Sequence, residues 1–393
     1  MRVLFVHDHV FKSDDGVFYS NGGFPSSVWS RYLNAFEELT VVGRDGGRID
    51  SMEINYTPSS LESVDFSLLP NVSNLKSFIL GNKKASDECK RLVSLHEGVI
   101  ARLPSQMGQL FIAEAIKQDK PYAVEVVGCA WEALWNHGTW KGKALAPFSY
   151  FKTKKIVASA PFSLYVTESF LQQRYPCKVG VTTFCSNVEV AAVPEEILQQ
   201  RKNKNSLRPE KTVFGLIGNY SSRYKGIDVA IRALAQADAR IPDWELQVLG
   251  AGDPVTYSKL ATDLGVSDNV KFVGSLPSGD PVYNWLDSLN VYLQPSLTEG
   301  LPRALVEAMS RGCPALGSKV GGIPELLHPE QMVEPGDYRS LADKIIKLVK
   351  DDANAVELSF ENFNRAKAYY KDVLEKRRKD FWLSFKQHIL SRN

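Results

Sequence analysis

Val291-Tyr292-Leu293-Gln294-Pro295-Ser296-Leu297-Thr298-Glu299-Gly300-Leu301-Pro302-Arg303-Ala304-Leu305-Val306-Glu307-Ala308-Met309 reads as one strand, one loop and one helix. The apolar run is short, as a buried strand is. Pro295 ends it, and Pro302 stands where the first helical position tolerates a residue without an N–H. Gly312 then closes the helix in the manner usual for a C-terminus. The same strand-then-loop pattern comes before it at Val213–Gly218, Leu246–Gly250 and Val270–Gly274. Three of these four runs end in Gly, where a tight turn asks for permissive dihedrals. Strands alternating with helical patterns predict βαβ units and a mostly parallel sheet, with ligands outside the carboxyl ends of the strands.

The rhythm also occupies the first half of the chain. A strand is predicted at Val3–Val6, then a long polar loop holding Asn21-Gly22-Gly23, then a helix entered near Pro25. Further strand runs stand at 39–43, 124–128 and 164–166, separated by amphipathic stretches such as Gln106–Lys117 and Ser169–Tyr175. From Pro194 to Lys211 the chain is charged and poor in apolar residues, as an interdomain connection would be. With 393 residues to organise, the α/β chain divides into two Rossmann-like domains expected to face each other across a cleft. The expected bounds are 1–193, a linker at 194–211, a second domain at 212–370, and a C-terminal helix at 371–393 packing back on the first domain.

Composition narrows the function. Lys+Arg 47 against Asp+Glu 45 gives a net charge of +2, which argues against nucleic acid as a partner. Apolar residues at 44% and charged residues at 23% fit neither a disordered nor a collagen-like chain. No apolar run is long enough to span a bilayer, and the opening Met1–Asp8 is too short for a signal-peptide core. Cys89, Cys129, Cys177, Cys185 and Cys313 are widely spread and read as reduced thiols, so a cytoplasmic enzyme is expected. No D-x-D metal-diphosphate signature or P-loop is matched, and the absence of G-x-G-x-x-G after the first strand of either domain weakens a nicotinamide reading.

The loop-helix segment offers chemistry. Amides of Gly300, Leu301 and Arg303 at a helix N-terminus suit a phosphate. Glu307 lies roughly 7–8 Å further along the axis, on the same face, and suits the vicinal hydroxyls of a ribose. Glu299, just outside the helix, suits a sugar beyond the diphosphate. The alternative is that Glu307 is an ordinary surface acid and Glu299 a partner of the helix dipole. The loop Gly218-Asn219-Tyr220-Ser221-Ser222-Arg223-Tyr224-Lys225-Gly226 adds two cations at the same strand edge, able to neutralise a departing diphosphate.

Glu299-Gly300-Leu301-Pro302-Arg303 through Glu307, with Lys225-Gly226 before it and Gly321-Gly322-Ile323-Pro324-Glu325 after it, resembles the family-four retaining glycosyltransferases. The likeness spans about Val213 to Leu327 and is looser in the first half. It implies the two-domain GT-B fold and metal-independent transfer of a sugar from a nucleotide diphosphate, with retained anomeric configuration. Position by position, Glu307 resembles the ribose-binding glutamate and Glu299 the carboxylate on the donor sugar. Gly300 and Leu301 resemble the diphosphate cradle, and Lys225 the lysine on the leaving group. The family often has Arg where this chain has Asn219, so Arg223 is the candidate to supply that charge. Gly22 and Gly23 resemble the glycine pair that approaches the diphosphate, and Val273–Leu276 the segment that reads the base. That segment leaves uracil and guanine open, with a UDP-sugar favoured.

On the acceptor side, Cys129 stands where related bacterial enzymes often carry Asp. His137 and Glu132 are candidates for acceptor contacts and catalysis, and His7 and His9 end the first strand. The resemblance implies a polyprenyl-diphosphate-linked oligosaccharide as acceptor in surface polysaccharide synthesis. Lys141, Lys143, Lys152, Lys154 and Lys155 bracket an apolar-aromatic run without an acid, which suits an anionic membrane surface at roughly 1 kcal/mol per cation. The competing reading is a helix whose lysines face water and whose aromatics face the core. Lys376-Arg377-Arg378-Lys379 in the tail is open to the same two readings. Rival functions are a GT-B sugar-nucleotide epimerase, a non-catalytic sugar-nucleotide-binding protein and, more distantly, a Rossmann oxidoreductase.

Overall fold

The computed structural model describes residues 1–50, 56–70, 83–135, 140–207 and 209–392. The chain forms two compact units, Met1–Cys185 with Glu375–Asn393, and Ser186–Leu374.

Among the described residues the first unit holds β1 (Arg2–Asp14), β2 (Val17–Ser20), β3 (Glu38–Arg48), β4 (Thr57–Pro58), β5 (Val64–Leu69), β6 (Gly98–Leu103), β7 (Tyr122–Val126), β8 (Phe162–Tyr165) and β9 (Val181–Phe184). The parallel part runs β5-β3-β1-β6-β7-β8-β9. Val3, Leu4, Phe5 and Val6 are fully buried because strands flank them on both sides and side chains cover both faces. The long loop expected after Val6 is largely strand. β1 continues to Asp14 through register shifts and turns at Asp15-Gly16, both at positive φ, into the antiparallel β2. Gly22-Gly23 therefore follows a hairpin. The helix entry near Pro25 is a single 3-10 turn, Ser26–Val28, leading into Ser30–Leu33.

The C-terminal helix Lys371–Arg392 returns to this unit. Its Trp382, Phe385 and Ile389 are fully buried, Trp382 lying 5.5 Å from Tyr32 and Phe385 5.2 Å from Phe162 between ring centres. The basic tetrad within it is no outward cluster. Arg378 is buried, Arg377 stacks 4.0 Å over Phe184, and Lys376 pairs with Asp380.

The second unit is a parallel sheet, β12-β11-β10-β13-β14-β15. Its strands are β10 (Thr212–Ile217), β11 (Trp244–Leu249), β12 (Val270–Gly274), β13 (Val291–Gln294), β14 (Ala315–Ser318) and β15 (Met332–Val333). From β10 the chain lays strands outward on one side, then restarts with β13 on the other. The point where strand order reverses is where such sheets open a ligand crevice. The loops after β10 and β13 are the two singled out above, so topology makes them neighbours. Helix Ile227–Ala237 buries Ile227, Ala230, Ile231 and Leu234 on one face of the sheet, and helix Arg303–Ser310 buries Leu305, Val306 and Met309 on the other.

The connection expected at 194–211 is instead mostly a helix, Glu195–Asn205, belonging to the second unit. It is held by cations rather than apolar residues. Buried Arg201 donates to the carbonyls of Leu286, Leu289 and Arg311, and Lys204 to those of Asp287, Ser288 and Leu289. These carbonyls end helices Asp280–Ser288 and Arg303–Ser310, where positive charge is favoured. Gly250 also has a different reason from the one expected. Its φ is ordinary, but a Cβ there would lie 2.0 Å from the Gly218 carbonyl oxygen, so two strand ends can touch only through glycine. Of the three, Gly274 alone has positive φ.

Candidate active site

The loop after β10 closes onto the loop after β13 through backbone contacts. Gly226 sits at φ +70°, and a Cβ there would lie 2.0 Å from the Pro295 carbonyl oxygen. Leu297 donates its N–H to Tyr224 O at 2.7 Å. This seating carries Lys225 Nζ to 2.6 Å from Glu299 Oε1, with Lys225 21% and Glu299 9% exposed. Oε1 also accepts from Gln294 Nε2 at 3.2 Å and Ser296 Oγ at 3.4 Å. Gln294 is in turn oriented by the buried Tyr292, whose hydroxyl donates to Gln294 Oε1 and accepts from Ile217 N–H. Burial pushes the Tyr292 phenol far above its ordinary range, so it stays a neutral donor. Among the described residues no donor reaches Glu299 Oε2.

Behind Glu299 the turn Gly321-Gly322 comes into van der Waals range. Gly321 has φ +56°, a Cβ there would meet Glu299 O at 2.0 Å, and Gly322 donates to Gly300 O at 2.6 Å. The Gly300 carbonyl is thus engaged, whereas the amides of Gly300 and Leu301 find no acceptor among the described residues. The helix begins one residue later than expected. Pro302 is its N-cap with ψ 112°, outside the helical basin, and Arg303 is its first residue. Glu307, 16% exposed, lies 3.9 Å from Arg303 Nη1. Burial raises its carboxyl above the usual range and Arg303 opposes that.

Val273 occupies a bulge on the edge strand β12. Val248 pairs with Phe272 and Leu249 with Gly274, so Val273 has no partner in the ladder. Asn219 spends its Oδ1 on Ser221 N–H at 2.8 Å, shaping its own loop. Arg223 does not join Lys225. It lines a cavity of about 540 Å³ with Arg232, Lys259, Tyr257 and Leu297.

In the first unit, Gly22 has φ +73° with open space around it, while Gly23 lies against the His9 ring. Their amides are taken up within the loop by Ser20 O and Asn21 O. His9 Nε2 shares a hydrogen bond with Ser20 Oγ at 2.8 Å, and His7 Nδ1 faces Arg102 O at 3.3 Å. Burial, with Arg102 nearby, lowers both imidazoles to about 4. Asp8 closes the N-terminus of helix Gln106–Lys117 by accepting the amides of Gln106 and Met107, with Arg44 Nη2 3.3 Å away. Glu132 is paired with Arg174 at 2.9 Å. His137 lies outside the described residues.

Residues 199–365 match the family described as Glycosyl transferases group 1. Protein CapJ of Staphylococcus aureus is 33% identical over 99% of this chain and 97% of its own length. The chain belongs to the group 1 glycosyltransferases. A second relative, the amylovoran biosynthesis glycosyltransferase AmsK of Erwinia amylovora, is 34% identical over 34% of this chain and 35% of its own. Anabaena HepE in complex with UDP has the same fold, with TM-score 0.62 and 16% identity over the whole of both chains. That fold is GT-B.

In this group 1 glycosyltransferase the second unit brings five of the eleven predicted site residues together. Lys225, Glu299, Gly300, Leu301 and Glu307 stand on two adjoining loops and one helix. Gln294, Ser296 and Tyr292, which hold Glu299, escaped the sequence reading because they look like strand residues. The signal was present in the alternation of Tyr292, Gln294 and Ser296, which places three polar groups on one side of the strand end. Asp8, Ser20 and Arg102 around the histidines were missed for a similar reason, since the structure alone brings β1, β2 and β6 together.

Proposed function

We propose that this glycosyltransferase moves a sugar from a nucleotide diphosphate, UDP rather than GDP, to a glycan hydroxyl, retains the anomeric configuration and needs no metal. The carrying observation is the contact of Lys225 with Glu299 beside the unengaged amides of Gly300 and Leu301. In this reading the diphosphate takes those amides and draws Lys225 toward the leaving oxygens, where a preorganised cation lowers the barrier. Glu299, relieved of its cation, accepts hydroxyls of the donor sugar through Oε2. Glu307 accepts the ribose hydroxyls, and the backbone at the Val273 bulge faces the base. UDP is favoured because the fold relative HepE binds it.

The acceptor hydroxyl attacks from the face the diphosphate leaves, and the departing phosphate takes its proton. A double displacement would require a carboxylate nucleophile at the anomeric carbon, and neither Glu299 nor Glu307 is assigned that task here. The acceptor proposed is a polyprenyl-diphosphate-linked oligosaccharide of a surface polysaccharide, in line with AmsK's part in amylovoran biosynthesis.

A thermal-shift series with UDP, GDP and their common sugars tests the donor, because a bound ligand raises the melting temperature by mass action. Stabilisation by UDP and a UDP-sugar is expected, and stabilisation by GDP alone overturns that choice. Transfer to the lipid-linked acceptor in excess EDTA, with the product anomer read by NMR, tests the rest. Loss of transfer in EDTA, or an inverted product, would refute the reading.

A further inference from the structure

Helix Trp140–Ala158 of the first unit is apolar on both faces. Ala146, Thr153 and Val157 on its inner face are fully buried, yet Trp140, Phe148 and Phe151 are 76%, 59% and 65% exposed. At 3.6 residues per turn, Trp140, Ala144, Phe148, Phe151 and Lys155 fall on one outward line. Lys143 and Lys154 flank that line on one side, Leu145 and Lys152 on the other, and the helix holds no Asp or Glu. Trp135, ending the preceding helix, is also exposed; its ring stacks on Trp131 and lies 5.6 Å from Lys143 Nζ. These exposures leave Trp140, Phe148 and Phe151 outside the core, while Tyr150 alone among the aromatics of the helix packs against it.

We propose that this face docks on an anionic membrane surface, its aromatic line entering the boundary between headgroups and acyl chains while Lys143, Lys154 and Lys155 meet the anionic headgroups. An apolar line this long is not what a surface made for water alone presents. An unbroken set of cations selects a negatively charged occupant. A second copy of the chain seated here by twofold symmetry would bring the same lysines against each other. Among the described residues no helix is long and apolar enough to cross a membrane, so attachment by this face is peripheral. The inference goes beyond the proposed reaction and does not depend on its donor or linkage.

Co-sedimentation of the full chain with vesicles tests it, using phosphatidylcholine alone and phosphatidylcholine mixed with phosphatidylglycerol. Binding to the mixed vesicles is expected to be roughly tenfold or more tighter than to the neutral ones and to weaken with salt. F148S/F151S should lose roughly tenfold. K143E/K154E/K155E should lose the preference for anionic lipid. Both variants alter exposed positions, and stabilisation by UDP, measured in the same samples, separates a docking defect from a damaged active site. Three results would overturn the proposal: wild-type protein staying in the supernatant with mixed vesicles at low salt, F148S/F151S pelleting like wild type, or a solution dimer that F148S/F151S dissociates.

Discussion

Lys225 and Glu299 neutralise each other, so the proposed reaction has to redistribute a charge already satisfied. Replacing Lys225 with Ala removes the cation and leaves Glu299 with Gln294 and Ser296. Turnover is expected to fall by about 3–4 kcal/mol of barrier, as when one charge-stabilising donor is lost, with the circular dichroism spectrum unchanged. Near-normal turnover would remove Lys225 from the mechanism. Glu307→Ala should weaken UDP binding by about 1.5–3 kcal/mol, the range for a hydrogen bond to a charged group, and calorimetry reads this directly. Because burial raises the Glu307 carboxyl, the wild-type affinity for UDP should start to fall at a pH above the ordinary carboxylate range.

His7 gives a stability signal with a definite sign. Its imidazole titrates at about 4 in the folded chain and at 6.5 when unperturbed. The unfolded chain therefore takes up a proton first as pH drops. Stability is complete above about pH 6.5 and is lost as pH falls toward 4, by up to about 3 kcal/mol for His7. Melting curves between pH 7 and pH 4.5 should show the decline, and His7→Gln should make it shallower, with His9, lowered to about 4 likewise, still contributing. An unchanged slope would mean that His7 is not the group responsible.

Elements explain which parts of this were legible beforehand. Helix Gln106–Lys117 matches its amphipathic pattern from end to end, and β10 to β13 fall where short apolar runs predicted them, whereas β14 and β15 carried no such prediction. Local signals sufficed there because each element buries its own periodic face. Helix Glu195–Asn205 was illegible because its anchors, Arg201 and Lys204, act on carbonyls 80 and more positions away in sequence. Nothing near residue 200 announces those partners. β1 beyond Val6 was hidden likewise, since polar residues that read as a loop are strand only once β2 and β3 pair with them. In the site, residue types that carry chemistry were recognisable, while the polar frame of Tyr292, Gln294 and Ser296 was not.

The glycines between the two site loops turn this into an experiment. Gly226→Ala adds a Cβ where the Pro295 carbonyl stands and asks Ala to hold φ +70°. Forced strain of that kind costs on the order of 1–3 kcal/mol. The melting temperature should fall, and turnover should drop further than stability alone explains, because the Lys225–Glu299 seating depends on that contact. A variant with normal turnover would show that the two loops tolerate separation.

At the scale of the whole molecule, the first unit is discontinuous in sequence and the second is not. Trp382 is fully buried against Tyr32 and Phe36. Trp382→Ala should therefore cost the first unit about 3–5 kcal/mol, read from denaturant melts, while stabilisation by UDP survives if the nucleotide is held chiefly by the second unit. Loss of UDP binding at conditions where the protein stays folded would contradict that division of labour.

The returning helix has a further consequence for how the protein is made. Strands β1 to β9 leave the ribosome first, yet the surface formed by Tyr32, Phe36 and Phe162 has no cover until Trp382 and Phe385 are synthesised. The core of Ser186–Leu374 itself closes only with Leu358, Ala366, Tyr369 and Tyr370, a few positions before that cover in sequence. The unit whose synthesis begins first is thus the last to receive all of its residues, and strict N-to-C completion of domains is closed to it.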